Sequence, residues 1–358
     1  MSRHLVVGLS SHGFGHIGQT APVIDALRRR MPGLRVSLRT GAPRHKLIER
    51  FGQGAEISIA ETDVGMLQEN AQTIDLAASA AAYLRFHDDW EARVDIEAHA
   101  LRDLGADAVL ANVPYLQLAG ARRAGIPSLA LCSINWMDIY ANFFGSRVEA
   151  DTILRQMGDA YGSACAFLQP QPSMPMPELD NRRSIGPVCQ SGTPRREWIA
   201  NRLGLGIDER LVMVSMGGME LRPPVEQWPK LTGVRLLVPA SWCSRHQSTV
   251  DFESLDMPYI DALWSSDALI CKPGYGSFVE AACAGVPVLY LDRPDWPEVP
   301  FLVSWLESAG HCAPLDQGCW LRGEFGGLLI ELSRSSSPKK VEPSGIDIAA
   351  EAIAALLS

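Results

Sequence analysis

The sequence predicts an α/β protein with two doubly wound parallel-sheet domains. Short apolar runs alternate with amphipathic helical stretches, the order that winds a parallel sheet. The alternation stops in a proline-dense segment holding Pro170, Pro172, Pro175, Pro177, Pro187 and Pro194, and then starts again. A length of 358 residues gives each half enough chain for its own core.

In the first half, residues 4–9 read as a strand and 10–18 as a Gly-rich loop. Val23, Ile24 and Leu27 then mark one face of a helix. Strands are expected at 34–38 and 56–60, with a short helix at 45–51 between them. A long helical region covers 74–104, followed by strand 108–113, helix 116–124 and strand 128–132. Proline interrupts both ladders and helices, so 171–194 is expected to be a linker. The pattern resumes with strand 211–215, a turn at Gly217 and Gly218, strand 234–238, helix 259–265 and strand 268–271. A Gly-rich turn, a helix and strand 286–291 come next, and a last helix spans 346–356. The expected domains are 1–170 and 195–335, with a tail and helix, 336–358, that returns to the first domain. Ligands of such sheets bind beyond the C-terminal strand ends, so two facing domains would enclose a cleft.

Composition narrows the function. A net charge of −9 argues against nucleic acid as a partner, because phosphate backbones are held by excess Lys and Arg. A small phosphorylated ligand needs only a local group of donors. The eight Cys form no CxxC pair and no Cys/His spacing typical of zinc, so buried free thiols and a cytoplasmic location are expected. The N-terminal apolar run is too short for a signal peptide, and no run reaches the ~20 residues of a membrane span.

The most informative segment is CKPGYGSFVEAACAGVPVLYLDRPDWPEVPF, residues 271–301. Strand, Gly-rich turn, helix and strand place backbone N–H groups at a helix N-terminus, where a phosphate can be held. Gly274, Tyr275, Gly276 and Ser277 would donate to it, Lys272 would add charge, and Glu280, one turn along, would reach a sugar hydroxyl. Arg293 suits a carboxylate or phosphate in bidentate fashion. Near the N-terminus, Gly13, Gly15 and Gly18 satisfy GxGxxG, a dinucleotide signature. The acidic residue expected after the second strand is missing; Arg39 stands there, which would suit a 2′-phosphate. In a second reading of the same loop, His16 takes a proton from a hydroxyl nucleophile, with His12 beside it. Asn135, Trp136, Asp138 and Tyr140 form an aromatic and polar cluster suited either to a sugar or to a helix core, with Asp138 orienting a catalytic His.

These motifs resemble the GT-B glycosyltransferases, of MurG and UDP-glycosyltransferase type. The GH pair Gly15-His16 and the string GYGSFVEAACAGVP, 274–287, carry the resemblance. A closer similarity is to the glycosyltransferase-like N-terminal region of plant L-arabinokinases and its free-standing bacterial relatives. It rests on SSHGFGHIGQ, SINWMDIYANF, KPGYGSFVEA and RPDWPEVPFL, in that order. The resemblance implies two Rossmann-like domains, a nucleotide-sugar donor with UDP favoured, a small-molecule or lipid-linked acceptor, and no metal or other cofactor. It places Ser215, Gly217 and Gly218 at the diphosphate with the 274–277 turn, and residues 255–259 beside the base. His16 becomes the general base, with His12, Gly13, Gly15, Asn135 and Trp136 toward the acceptor. In place of the acidic and amide pair usual after the last donor-domain strand, the chain has Asp292, Arg293, Asp295 and Glu298. The similarity does not extend to a sugar-kinase domain. A sugar-nucleotide-binding protein without turnover and a nucleotide-sugar epimerase stay open beside the transferase.

Overall fold

The computed structural model describes residues 3–68, 73–217, 222–334 and 340–358. The chain divides into two compact units, Met1–Val188 with Ser344–Ser358, and Cys189–Pro343. The first half runs β1 (His4–Leu9), α1 (Gly15–Arg30), β2 (Arg35–Arg39), α2 (Arg44–Phe51), β3 (Glu56–Ser58), α3 (Leu76–Asp88) and α4 (Trp90–Asp103). It continues with β4 (Ala108–Asn112), α5 (Tyr115–Ala124), β5 (Ser128–Leu131), α6 (Trp136–Phe144), α7 (Ala150–Gly162), β6 (Phe167–Pro170) and β7 (Arg182–Ile185). The second half runs α8 (Arg196–Leu203), β8 (Arg210–Ser215), β9 (Val234–Val238), β10 (Thr249–Asp251), α9 (Tyr259–Trp264), β11 (Ala268–Cys271) and α10 (Tyr275–Ala284). After β12 (Val288–Leu291) come α11 (Val299–Ala309), β13 (Cys312–Leu315), α12 (Gln317–Arg322), α13 (Gly326–Arg334) and α14 (Gly345–Leu356).

Both sheets are parallel. The first has seven strands in the order β3-β2-β1-β4-β5-β6-β7, and the second has six, β10-β9-β8-β11-β12-β13. Every residue of β1, β4, β5, β11 and β12 is buried, because helices cover both faces of a parallel sheet. That is why these strands read as unbroken apolar runs. Each order reverses direction at its centre, between β1 and β4 in one sheet and between β8 and β11 in the other. Loops at such a reversal diverge and leave a crevice at the C-terminal strand ends.

Three local features differ from the sequence pattern. The helical stretch 74–104 is two helices, parted at Asp89 (φ −104°, ψ 35°); short acidic side chains compete for backbone N–H groups and favour helix ends. Asp75 caps α3 through a 2.8 Å bond from the Ala78 N–H. The proline-dense segment 171–194 contains β7, which forms in the Pro-free gap between Pro177 and Pro187 and pairs with β6 at the sheet edge. All eight cysteines are free, yet Cys165 and Cys243 are exposed rather than buried.

The last helix belongs to the first unit. α14 buries Ala349, Ala350 and Ile353 in the core that contains Leu5, Ile24 and Leu27. The Gly345 N–H donates to the Pro187 carbonyl at 3.0 Å, and a Cβ on Gly345 would lie 2.0 Å from the Gly186 carbonyl oxygen. No larger residue fits that crossing. Ile353→Ala is therefore expected to cost about 2–5 kcal/mol in a denaturation experiment. Ile207→Ala, at a fully exposed position, should stay within about 0.5 kcal/mol of the parent.

Candidate functional site

Each unit gathers a polar cluster at the C-terminal edge of its own sheet. In the first, His16 is the second residue of α1 and only 6% exposed. Its Nδ1 lies 2.9 Å from Asn112 Oδ1 and 3.6 Å from Cys132 Sγ. Asn112 ends β4, the strand beside β1, and its Nδ2 donates to Gln19 Oε1 at 3.3 Å and Thr20 Oγ1 at 3.0 Å. With the amide so turned, Oδ1 can only accept, so Nδ1 carries the imidazole proton and Nε2 keeps its lone pair. Burial lowers the His16 pKa to about 4, and the bond to Asn112 opposes that only in part.

The residue that holds His16 is thus Asn112. Asp138, expected in that role, stands at the third position of α6, where its backbone N–H donates to Asn135 Oδ1 at 2.7 Å. Burial first, and then Glu178, raise its carboxyl pKa. Asn135 and Trp136, expected to face an acceptor, are fully buried. Asn135 caps α6, and Trp136 packs its ring edge-on to His12 at 5.1 Å and tilted to His16 at 6.1 Å. Trp136 Nε1 donates to Asp63 Oδ2 at 2.8 Å. Burial raises Asp63 to about 6, against bonds from Ser10 and Trp136. His12 Nδ1 accepts from the Met66 N–H at 3.3 Å. Gly13 has φ +79°, and a Cβ at Gly13, Gly15 or Gly18 would meet nothing within 4 Å. Arg39, the candidate for a 2′-phosphate, is committed elsewhere: its Nε and Nη2 donate to Glu97 at 2.9 and 2.6 Å.

In the second unit the cluster forms at the ends of β8, β11 and β12. Gly217 follows β8 with φ +73°, and a Cβ there would sit 2.9 Å from Lys272 Cε. The left-handed backbone favours glycine there, and the end of the Lys272 side chain lies against it. Gly218 lies outside the described residues. Lys272 follows β11; burial lowers its pKa, and the nearby Arg293 lowers it further. Gly274 is the N-cap of α10 and leaves its first turn without a side-chain cap. The N–H groups of Gly276 and Ser277, in the first turn, find no acceptor inside the helix. A Cβ at Gly274 or Gly276 would meet nothing within 4 Å, so open space adjoins those donors. Tyr275 itself is buried in the core.

Tyr259, at the start of α9, ties the cluster together. Its hydroxyl bonds Ser215 and Ser277, and burial followed by the Glu280 charge raises its pKa. Sequence reasoning placed Tyr259 only beside a base; one serine ending β8 and another in the first turn of α10 gave no sign of this contact. Arg293 follows β12 and lies 5.2 Å from the centre of the Trp296 ring. Its Nη2 is buried without a hydrogen-bond partner. Burial lowers its pKa, opposed by Asp295 and Glu298. Glu298 is buried and accepts from Trp296 Nε1 at 3.3 Å. Among the described residues no group of three or more His, Cys, Asp or Glu is placed to hold a metal ion, and no helix is long and apolar enough to cross a membrane.

The whole chain superposes on solved structures. The calicheamicin glycosyltransferase CalG4 superposes with a TM-score of 0.67 at 17% identity, covering 100% of this chain and 99% of that one. The kitacinnamycin glycotransferase gives 0.68 at 17%, with both chains covered completely. The fold is GT-B. UGT89C1 of Arabidopsis thaliana, solved with UDP, superposes on the GT-B fold of this chain at 0.60 with 14% identity, again over both whole chains. No family profile matches the sequence. An L-arabinokinase of Arabidopsis thaliana is 28% identical over 324 residues, which are 86% of this chain and 30% of that protein. The chain thus spans less than a third of that curated relative.

The buried histidines give a pH signature. His16 and His87 are both lowered from 6.5 to about 4, burial being the main cause. An unfolded chain takes up protons near pH 6.5 that the folded chain refuses until about pH 4. These two residues therefore make the fold lose stability as pH falls through that window. Asp63, raised from 3.8 to about 6, acts in the opposite sense within it. In histidine NMR spectra assigned with His16→Gln, the His16 resonances should hold their neutral positions at pH 5.5, where an ordinary imidazole is mostly protonated.

Proposed function

We propose that the chain is a glycosyltransferase that moves a sugar from a nucleoside-diphosphate sugar, UDP being favoured, to a hydroxyl of a small or lipid-linked acceptor. The observation that carries this is the N-terminus of α10, which has no side-chain cap, with the Ser277 hydroxyl in its first turn and Lys272 just ahead of it. Backbone N–H groups and the desolvated Lys272 ammonium oppose the charge that develops on a departing diphosphate, the work a metal ion does in other transferases. Glu280 would hold the ribose hydroxyls. The GT-B fold supports the assignment, as do solved complexes of UGT89C1 with UDP-L-rhamnose and with quercetin. Because the sequence match spans 30% of the L-arabinokinase, the kinase activity in that name is not carried over.

In the first unit, His16 Nε2 would take the proton of the acceptor hydroxyl as that oxygen attacks the anomeric carbon. The sugar–phosphate bond breaks, its electron pair leaves with the diphosphate, and a single displacement inverts the centre. A neutral amide behind the imidazole does not stabilise imidazolium as a carboxylate would, so His16 is a weak base that stays free of protons well below neutrality.

The burial of His16 favours a second reading, a sugar-nucleotide-binding protein without turnover. Incubation with a panel of nucleotide sugars, with and without acceptors, separates the two. Nucleotide release that requires acceptor supports transfer, release without acceptor points to hydrolysis or epimerase-like chemistry, and binding without release supports the second reading. For the transferase, His16→Ala should lower kcat by about 100-fold or more with UDP affinity unchanged. The acid limb of kcat/KM should fall near pH 4 rather than 6.5, and Asn112→Asp should move it upward. Full turnover by His16→Ala would remove the base assignment.

A further inference from the structure

Among the described residues of the second cluster, Arg293 is the cationic side chain that the diphosphate does not explain. Lys272 and the positive pole of α10, worth about half a charge, already face a ligand at the ends of β8 and β11. Arg293 stands one strand further along the sheet, after β12. Neighbouring strands are about 4.8 Å apart, so a step of one strand leads from the phosphates toward the sugar they carry. The guanidinium is pinned over the Trp296 ring at 5.2 Å, with Nη2 buried and unpartnered. Among the described residues no carboxylate is in ion-pair contact with it; Asp295 and Glu298 act only through their fields. The guanidinium is half-buried, and leaving its buried Nη2 without a hydrogen bond is costly; an arginine fork matches a planar carboxylate.

We propose that the transferred sugar is acidic, its carboxylate held bidentately by Arg293 while Lys272 and the α10 N-terminus hold the diphosphate. The proposal rests on the donor reading above and names the class of donor: a nucleoside-diphosphate hexuronate. A neutral sugar hydroxyl could accept one bond from the guanidinium but would leave its charge uncompensated. Asp292, Asp295 and Glu298 crowd the same loop and make it a poor seat for a second, more highly charged phosphate.

Calorimetric titration of the full chain with UDP, UDP-glucose and UDP-glucuronate tests this. The parent should bind UDP-glucuronate roughly tenfold or more tighter than UDP-glucose, the margin of one charge-assisted bidentate bond. Arg293→Met should abolish that margin and leave UDP affinity unchanged, and Arg293→Lys should restore only part of it. Equal affinity for the two sugar nucleotides in the parent would overturn the proposal. So would a loss of UDP affinity in Arg293→Met, which would make Arg293 part of the phosphate site. If UDP itself does not bind, the donor reading fails and the proposal falls with it. Circular dichroism and the melting temperature of each variant show whether a lost signal is lost fold.

Discussion

Parallel pairing constrains everything else in this chain. Strands that all point one way end on one edge, and crossover helices start on that same edge with first-turn N–H groups that have no acceptor within the helix. Both sheets reverse order at their centres, so the loops that spread apart there are those after β1 and β4 and after β8 and β11. His16, Asn112 and Cys132 come from three such ends in the first sheet, and Gly217, Lys272 and Arg293 from three in the second. None of the six is near its partners in sequence. The register of the ladders brings them together.

Burial then sets the chemistry. The same desolvation lowers the His16 imidazole, raises the Asp63 carboxyl and lowers the Lys272 ammonium. In the first unit the outcome is a proton-free nitrogen with its tautomer fixed by an amide. In the second it is a pair of cations that repel each other until an anion arrives. The first arrangement suits a group that accepts a proton once per turnover. The second suits a ligand that brings negative charge, and gains affinity from relieving the repulsion.

The fold was legible because parallel strands are buried on both faces and so read as apolar runs. Leu5–Leu9 and Ala268–Cys271 could hardly be anything else. The strand β7 was hidden by the prolines around it, since only the gap between Pro177 and Pro187 admits a ladder. At the site, the glycine turns and His16 announced themselves through spacing. Asn112 was visible only as a polar residue closing an apolar run, a signal that needs the neighbouring strand to acquire meaning. Asp63 lies in an irregular stretch with no periodicity and left no trace. Trp136 misled in an instructive way: an aromatic beside Asn and Asp suits a sugar or a core equally, and only burial decides.

The central claim is that the α10 turn is a nucleoside-diphosphate site. A crystal of the full chain grown or soaked with UDP tests it most directly. The account predicts a diphosphate within hydrogen-bond distance of the Tyr275, Gly276 and Ser277 N–H groups, with Lys272 Nζ turned toward it. A diphosphate bound elsewhere on the chain, or a saturating soak that leaves that turn empty, would contradict it.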